Sequence, residues 1–232
     1  MIPTPDLSHL RPGDYEHIYE PAEDTFILLD ALEQDAEELT TMGPLISLEI
    51  GSGSGCVSSF LGSITGPSAV LYLCTDINPH ACKCSSATGR QNKVPLELVN
   101  ASLAQPLLSR LRKSVDIILF NPPYVPTVRD EASGAQTDRD IGGSWAGGQD
   151  GMQVTDRFFP QVDDLLSPRG RFYLVAVSQN NVPDIQRRMR EEYALESKVV
   201  LQRRAGREHL FVIRFAREGR EFISLDRLSE PL

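Results

Sequence analysis

The sequence predicts an α/β fold with a mostly parallel, seven-stranded sheet, helices on both faces and a C-terminal antiparallel hairpin. Short β-rich apolar segments alternate with helix-like segments, which is typical of βαβ units. A glycine-rich turn follows the first strand, as in nucleotide-binding sheets. The last two predicted strands are separated only by 204–207, and a connection that short requires antiparallel pairing.

The elements follow in order from periodicity and turn residues. A helix begins after Pro21, where acidic residues occupy the first turn. The predicted strands are 45–50, 70–75, 96–100, 115–120, 170–177, 197–203 and 209–215. The later predicted helices are 54–61, 78–91, 151–167 and 183–193. Residues 1–18 form an irregular lead-in, 19–216 one domain, and 217–232 a charged tail.

Composition limits the classes of function. The chain has 232 residues, 41% of them hydrophobic, which suits one α/β core. Its net charge of -9 argues against tight phosphate-based binding of nucleic acid and favours a protein substrate, a small ligand or a basic partner. We find no signal peptide and no apolar run that could span a membrane, and expect a cytoplasmic protein that also has access to the nucleus.

The cysteines and histidines give no metal-binding pattern. Cys56, Cys74, Cys82 and Cys84 contain no CxxC pair, so we predict structural thiols in a reducing compartment. The histidines show no motif spacing, and we assign neither a metal site nor a catalytic histidine. The four histidines are His9, His17, His80 and His209.

The glycine-rich turn at 51–55 indicates a nucleoside-type ligand. Gly51 and Gly53 permit a tight turn and a close approach of a ligand to the backbone. Asp76 ends the next strand, where a carboxylate can accept both ribose hydroxyls. The alternative is a plain strand-to-helix turn, with Asp76 capping the following helix.

The choice of ligand depends on Glu49 and Cys56. A dinucleotide site has the pattern G-x-G-x-x-G, but Cys56 occupies the last position here. Glu49 would also place negative charge near a pyrophosphate. S-adenosylmethionine has no phosphate and carries an ammonium and a sulfonium group, so we predict that it is the cofactor.

The Asn-Pro-Pro-Tyr segment at 121–124 predicts a site for a planar nitrogen. It follows a buried strand, and its two prolines stiffen the loop. The Asn121 side-chain oxygen and the Pro122 carbonyl can accept the two N–H bonds of an NH₂ group. Pro123 stiffens the same loop, and the Tyr124 ring can pack against the planar group. The alternative is a proline-rich turn in which Asn121 binds its own backbone.

Five motifs together resemble the HemK family of protein-glutamine N5-methyltransferases, in particular its HemK2-like branch. They are Tyr-Glu-Pro-Ala-Glu-Asp-Thr at 19–25, Glu-x-Gly-x-Gly-x-Gly at 49–55, Thr-Asp-Ile-Asn-Pro at 75–79, Asn-Pro-Pro-Tyr at 121–124 and Trp-Ala-Gly-Gly at 145–148. The resemblance implies a Rossmann-like class I methyltransferase domain. It also implies methylation of the glutamine in the Gly-Gly-Gln motif of a peptide-chain release factor.

The resemblance also implies roles for individual residues. Thr25 and Gly51 would contact the amino-acid end of the cofactor, and Glu49 would lie near its ammonium. Asp76 would bind the ribose, while Asn121 and Pro122 would hold the glutamine amide. Leu103 would lie at the adenine, where the family usually has Asp in the preceding position. This chain has Ser102 instead, which would make a weaker hydrogen bond.

The family further implies a small zinc-containing activator subunit, bound to the edge strand at 96–100. Leu96 and Leu98 are candidate contacts, with packing under a helix as the alternative. The loop around Trp145 is expected either to gate the substrate or to be a surface loop.

Three other functions stay open at this point. The acidic balance would attract a lysine on a basic protein such as a histone tail. The Asn-Pro-Pro-Tyr loop could hold the amine of a flipped adenine, although no basic groove or recognition domain is evident. A scaffold that only binds partners would not need an intact Asn121 loop.

Overall fold

The computed structural model describes residues 1–125, 148 and 150–217. Over these residues it confirms the predicted seven-stranded sheet with helices on both faces. The strands are β1 Ile46–Ile50, β2 Leu71–Asp76, β3 Leu96–Asn100, β4 Val115–Phe120, β5 Leu166–Val177, β6 Leu195–Ala205 and β7 Glu208–Arg217. The α-helices are α1 Glu23–Gln34, α2 Ala36–Met42, α3 Cys56–Thr65, α4 Pro79–Gln91, α5 Gln153–Leu165 and α6 Val182–Tyr193.

The order of the strands shows at which edge of the sheet a ligand would bind. It is β3-β2-β1-β4-β5-β7-β6, and only β7 runs antiparallel to its neighbours. The chain moves outward from β1 to β3 and then returns to the other side of β1 with β4. Ligands of open α/β sheets bind at such a reversal, beside the carboxyl ends of the strands.

Strand β4 is buried on both faces, as its continuous apolar sequence predicts. Ile117 and Leu119 pack into the core under α1 and α3. Ile118 and Phe120 pack into the core on the opposite face, which includes residues of α5 and α6. This double burial fixes the register of β4, and therefore the position of Asn121 just beyond its end.

Two features differ from the sequence prediction. Helix α2 was not predicted. Strand β5 begins at Leu166, whereas we predicted helix to 167 and a strand only from 170. The pairing of β4 with β5 shifts register after Val115. Because of this irregularity, β5 can include Pro168 and Gly170, two residue types that usually indicate a turn. Ser167 donates to Asp116 of β4 at 2.7 Å and secures this irregular segment.

A buried ion network attaches the C-terminal end of α1 to the sheet. Arg214 of β7 is only 3% exposed and contacts Asp35 at 2.9 Å and Glu38 of α2. Tyr173 of β5 donates a further hydrogen bond to Asp35 at 2.8 Å. Losing one partner of such a network costs about 3–5 kcal/mol, because a buried charge is left uncompensated. The network thereby fixes the helix whose first turn carries Asp24.

The lead-in, residues 1–18, has turns but no helix or strand, and it packs along α4. His9 hydrogen-bonds Thr88 at 3.0 Å. Asn78, at the start of α4, donates to the His17 carbonyl at 2.7 Å. These contacts bring Tyr19 to the carboxyl edge of the sheet. The Trp145 loop and the tail beyond Arg217 lie outside the described residues.

None of the helices described is long and apolar enough to cross a lipid bilayer.

Candidate active site

A cleft lies where the carboxyl ends of β2, β1 and β4 meet, at the reversal of strand order. It is open to solvent and is lined by both apolar and polar side chains, as ligand-binding clefts usually are. Its lining brings together most of the predicted site residues. These are Thr25, Glu49, Gly51, Gly53, Asp76, Ser102, Leu103, Asn121 and Pro123.

The glycine turn forms the floor of this cleft. Gly51 and Gly53 have φ values of +69° and +52°, which residues with a Cβ rarely adopt. A Cβ at either position would have nothing within 4 Å, so the space above the turn is open to a ligand. At Gly55 a Cβ would lie 2.7 Å from the Ser85 Cα, so this third glycine is required for packing against α4.

Asp76 is held in place by the backbone. Its two carboxylate oxygens accept from the amides of Gly53 at 2.9 Å and Asn78 at 2.8 Å. Each oxygen keeps acceptor capacity for a further donor, such as a ribose hydroxyl. The capping of α4 is done by Asn78, whose side chain accepts from the His80 amide. Burial raises the pKa of Asp76, which favours a ligand that donates to it.

Glu49 is a buried acid beneath the start of α3. Its Oε2 accepts from the Ser58 amide at 3.0 Å and from the Ser58 hydroxyl. Its Oε1 has no donor among the residues described. Burial, together with the nearby Asp76, raises the pKa of Glu49 to about 8 despite these hydrogen bonds. A cationic group placed here would recover the lost solvation of the carboxylate.

Asp24, in the first turn of α1, collects hydrogen bonds from the surrounding groups. Oδ1 accepts from the Tyr19 hydroxyl at 3.1 Å and the Thr25 amide at 2.7 Å. Oδ2 accepts from the Asn121 side-chain nitrogen at 3.0 Å and the Tyr124 hydroxyl at 3.1 Å. Burial and Asp24 itself raise the pKa of both tyrosines, so their hydroxyls stay protonated as donors.

These contacts determine the orientation of Asn121. A carboxylate only accepts hydrogen bonds, so the NH₂ of Asn121 must face Asp24. The side-chain oxygen is thereby turned away from Asp24. Asn121 Oδ1 is buried and finds no donor within the described part of the chain. A buried acceptor without a partner is unfavourable, and a substrate N–H would satisfy it. This fits the predicted acceptor role.

The other three residues of the Asn-Pro-Pro-Tyr loop are buried next to Asn121. Pro122 is buried and is not among the residues that line the cleft, and its predicted role as a second acceptor stays a prediction. Tyr124 differs from the predicted stacking position. Its ring belongs to the core cluster and its hydroxyl binds Asp24, so it does not line the cleft. Asn180 donates to the Tyr124 carbonyl at 3.3 Å and anchors the end of the loop.

Thr25, Ser102 and Leu103 all line the cleft. Thr25 is buried at the start of α1. Ser102 and Leu103 follow β3 on the other side of the cleft. Leu103 has a φ of +53°, which is unusual for leucine and typical of strained functional loops. The contacts that these residues would make with the cofactor stay predictions.

The charges of the cleft discriminate between cofactors. Three buried carboxylates line it, those of Asp24, Glu49 and Asp76. Arg157 also lines it, but is exposed. These acids, when ionised, would repel a pyrophosphate, whereas a ligand with the two cationic groups of S-adenosylmethionine favours their ionised forms. The unsatisfied acceptors and the open glycine turn therefore fit this cofactor, which would supply a methyl group bound to a sulfonium.

The fold and the cleft define a class I S-adenosylmethionine-dependent methyltransferase. Residues 24–137 match the family model described as the methyltransferase small domain. The human methyltransferase HEMK2 is 50% identical over 92% of this chain and 96% of its own length. The chain belongs to the HemK2-like family of protein-glutamine methyltransferases, as the motifs predict.

Two further relatives connect the family to translation termination. The catalytic subunit mtq2 of the eRF1 methyltransferase from Schizosaccharomyces pombe is 42% identical, covering 94% of this chain and 97% of its own length. The Mtq2–Trm112 complex of E. cuniculi, responsible for methylation of the eRF1 termination factor, matches with a TM-score of 0.63 at 28% identity. That match covers 86% of this chain and 98% of the solved one.

Sequence reasoning missed the role of Asp24 and Tyr19. Both belong to the motif at 19–25, but Asp24 was interpreted only as a favourable charge at a helix start. The available signal was the combination of this acid with a downstream asparagine and tyrosine, since both can donate to a carboxylate. The long separation, 97 residues between Asp24 and Asn121, hides such a contact.

We predict that Glu49 makes both stability and cofactor affinity depend on pH. Its pKa is raised in the folded protein to about 8, above the ordinary value of 4.5. The contribution of Glu49 to the stability of the cofactor-free protein is therefore fully present below pH 4.5 and is lost as the pH rises through 8, by up to about 1.4 kcal/mol per pH unit. Cofactor affinity should rise over the same range, because its ammonium binds the ionised acid.

Denaturant unfolding and calorimetric titration between pH 5 and 8 measure both effects. Glu49→Gln should flatten the stability curve and weaken cofactor binding at pH 8. Glu37→Gln, on the exposed side of α2, is the matched control and should leave both curves unchanged. Identical pH curves for wild type and Glu49→Gln would contradict this account.

We also predict that Asp24 sets the orientation of Asn121. In Asp24→Asn the new amide can donate to Asn121, so the Asn121 amide should turn over and lose its free oxygen. We expect kcat to fall about 100-fold, as for other small misplacements of reacting groups, with cofactor affinity nearly unchanged. Asp30→Asn, on the same helix and paired with Arg203, should keep full turnover. Full activity of Asp24→Asn would sink this assignment.

Proposed function

We propose that this protein methylates the side-chain amide nitrogen of a glutamine, in the Gly-Gly-Gln motif of a peptide-chain release factor. The observation that carries the proposal is the buried, unpartnered oxygen of Asn121, a residue that lines the cleft and whose NH₂ group is held by Asp24. An amide NH₂ is the kind of group that this acceptor can bind.

The chemistry of a primary amide explains the need for such a site. The nitrogen lone pair is delocalised into the carbonyl group, so the amide is a poor nucleophile. Asn121 Oδ1 would accept one N–H and the Pro122 carbonyl the other, which orients the nitrogen and increases its electron density. Asp24 holds the Asn121 amide in advance and the prolines stiffen the loop, so the substrate would have to organise little of the site.

The relatives support the same substrate. The S. pombe protein is a subunit of an eRF1 methyltransferase, and the E. cuniculi complex methylates eRF1. This chain covers almost the whole length of both. The negative charge, -9, suits a substrate that presents its glutamine on a basic surface.

We further propose that a small zinc-containing activator subunit pairs with the edge strand β3. Strand β3 ends the sheet and pairs with β2 alone among the strands described. The E. cuniculi relative was solved with the partner Trm112. Leu96 was predicted to contact the activator, but it is buried in the core against Gly89 of α4, so this part of the prediction is wrong. Leu98 is partly buried in the same core, so backbone pairing would carry the contact.

Hydrogen–deuterium exchange tests this interface. Co-expression with the activator should slow exchange of amides at 96–100, because a new strand would bind their free edge. The amides of β6, which forms the opposite edge of the sheet, are an internal control and should exchange at an unchanged rate. Protection of β6 with β3 unaffected would exclude this docking site.

A lysine on a basic protein, such as a histone tail, is a second candidate substrate. The acidic cleft and the net charge favour a cationic substrate. A lysine nitrogen is not delocalised, however, so it has less need for a rigid pair of acceptors. The same charges disfavour the phosphates of an adenine-containing nucleic acid.

The decisive experiment combines a release factor, the co-expressed chain with its activator, and mass spectrometry. We expect one methyl group on the Gly-Gly-Gln glutamine, and a loss of at least about 100-fold in rate with Asn121→Ala. Cofactor binding should be largely retained, and Gln202→Ala, which removes an exposed amide from β6, should be fully active. A histone peptide methylated faster than the release factor would favour the second candidate. Turnover by Asn121→Ala would contradict the mechanism.

A further inference from the structure

A cluster of three possible metal ligands lies beside the cleft, between the lead-in and α4. Asp14, His80 and Cys84 each offer one ligand atom, and these atoms lie within 4.8 Å of one another. Cys84 is buried, while the side chains of His80 and Asp14 are 35% and 28% exposed. An ion from solvent could therefore reach the cluster.

The cluster is organised before any ion binds. His80 and Cys84 are four residues apart on α4, so they share one face of the helix. Asp14 Oδ1 lies 3.1 Å from His80 Nε2, while its Oδ2 accepts from the Arg11 amide at 2.8 Å. The hydrogen bond from Asn78 to the His17 carbonyl joins the two segments independently of the cluster. Supporting bonds of this kind usually orient metal ligands.

The spacing of the three ligand atoms can be compared with that of a tetrahedral site. Zinc lies about 2.0–2.3 Å from nitrogen, oxygen and sulfur ligands, so its ligand atoms are roughly 3.3–3.8 Å apart. The Asp14–His80 contact is already near this range, and the sulfur would need to move by about 1 Å at most.

We propose that Asp14, His80 and Cys84 bind a divalent cation of the zinc type. Imidazole, thiolate and carboxylate together suit this borderline ion better than the hard cations Mg²⁺ or Ca²⁺. The fourth position would take water or His17, whose ring centre lies 4.9 Å from that of His80. Cys84 would lose its thiol proton to solvent on binding, as zinc-bound cysteines do.

A metal ion at this site would affect the cleft through two segments that line it. It would link the lead-in to α4, and both segments line the cleft, at Ile18 and Ala81. These two residues also form a small apolar cluster with Cys84. Binding of the ion should therefore stabilise the folded protein and the cofactor-binding conformation together. The alternative is an ordinary ion pair next to a buried thiol.

Cobalt titration of the full chain, after removal of metals with a chelator, distinguishes the two interpretations. Co²⁺ is the probe because its bond to a thiolate gives a charge-transfer absorption band. We expect one Co²⁺ per chain, displaced by Zn²⁺. Cys84→Ser should lose the band, and Asp14→Asn and His80→Gln should weaken binding by at least about tenfold. Metal carried by a co-purified partner would contribute equally to every variant, so a comparison of the variants removes that contribution.

Cys82→Ser is the matched control, because Cys82 is on the same helix but its sulfur contacts the Asp76 carbonyl. It should bind Co²⁺ like the wild type. A titration without the band, or a band that persists in Cys84→Ser, would overturn the proposal. If Cys84→Ser fails to fold, the variant of the partly exposed His80 provides the test instead. Unchanged affinity in folded His80→Gln would exclude the site.

Discussion

A carboxylate can accept hydrogen bonds but cannot donate them, and this constraint fixes Asn121. The oxygen and nitrogen of an asparagine amide have nearly the same shape, so packing alone would not choose between the two orientations. Asp24 makes the choice, because its oxygen accepts from the Asn121 nitrogen. Tyr19 and Tyr124 hold Asp24 in turn, and the first turn of α1 favours its charge.

The acidic character of the cleft has a cost that its ligand removes. Asp24, Glu49 and Asp76 are all buried, and burial raises the pKa of Glu49 and of Asp76. Such acids are unfavourable in the cofactor-free protein. A ligand with two positive groups reverses this, so binding energy, selectivity against dinucleotides and stabilisation of the fold come from the same charges. Cofactor binding therefore stabilises the folded protein.

The architecture could be predicted from the sequence because alternating apolar segments and turns are local signals. The glycine turn, Asp76 and the Asn121 loop could also be placed at one edge, since parallel strands end together. Three features could not. The insertion of β7 between β5 and β6 depends on tertiary pairing. The start of β5 was hidden by Pro168 and Gly170. The contact of Asp24 with Asn121, like that of Asp14 with His80, joins residues far apart in the chain.

A crystal structure with the demethylated cofactor and a Gly-Gly-Gln peptide tests the central claim most directly. The account predicts that the Asn121 nitrogen remains within hydrogen-bonding distance of Asp24, while its oxygen accepts from the glutamine amide. The amide nitrogen should then point along an open path to the cofactor sulfur. An Asn121 side chain rotated away from Asp24, or a glutamine bound without contact to Asn121, would contradict it.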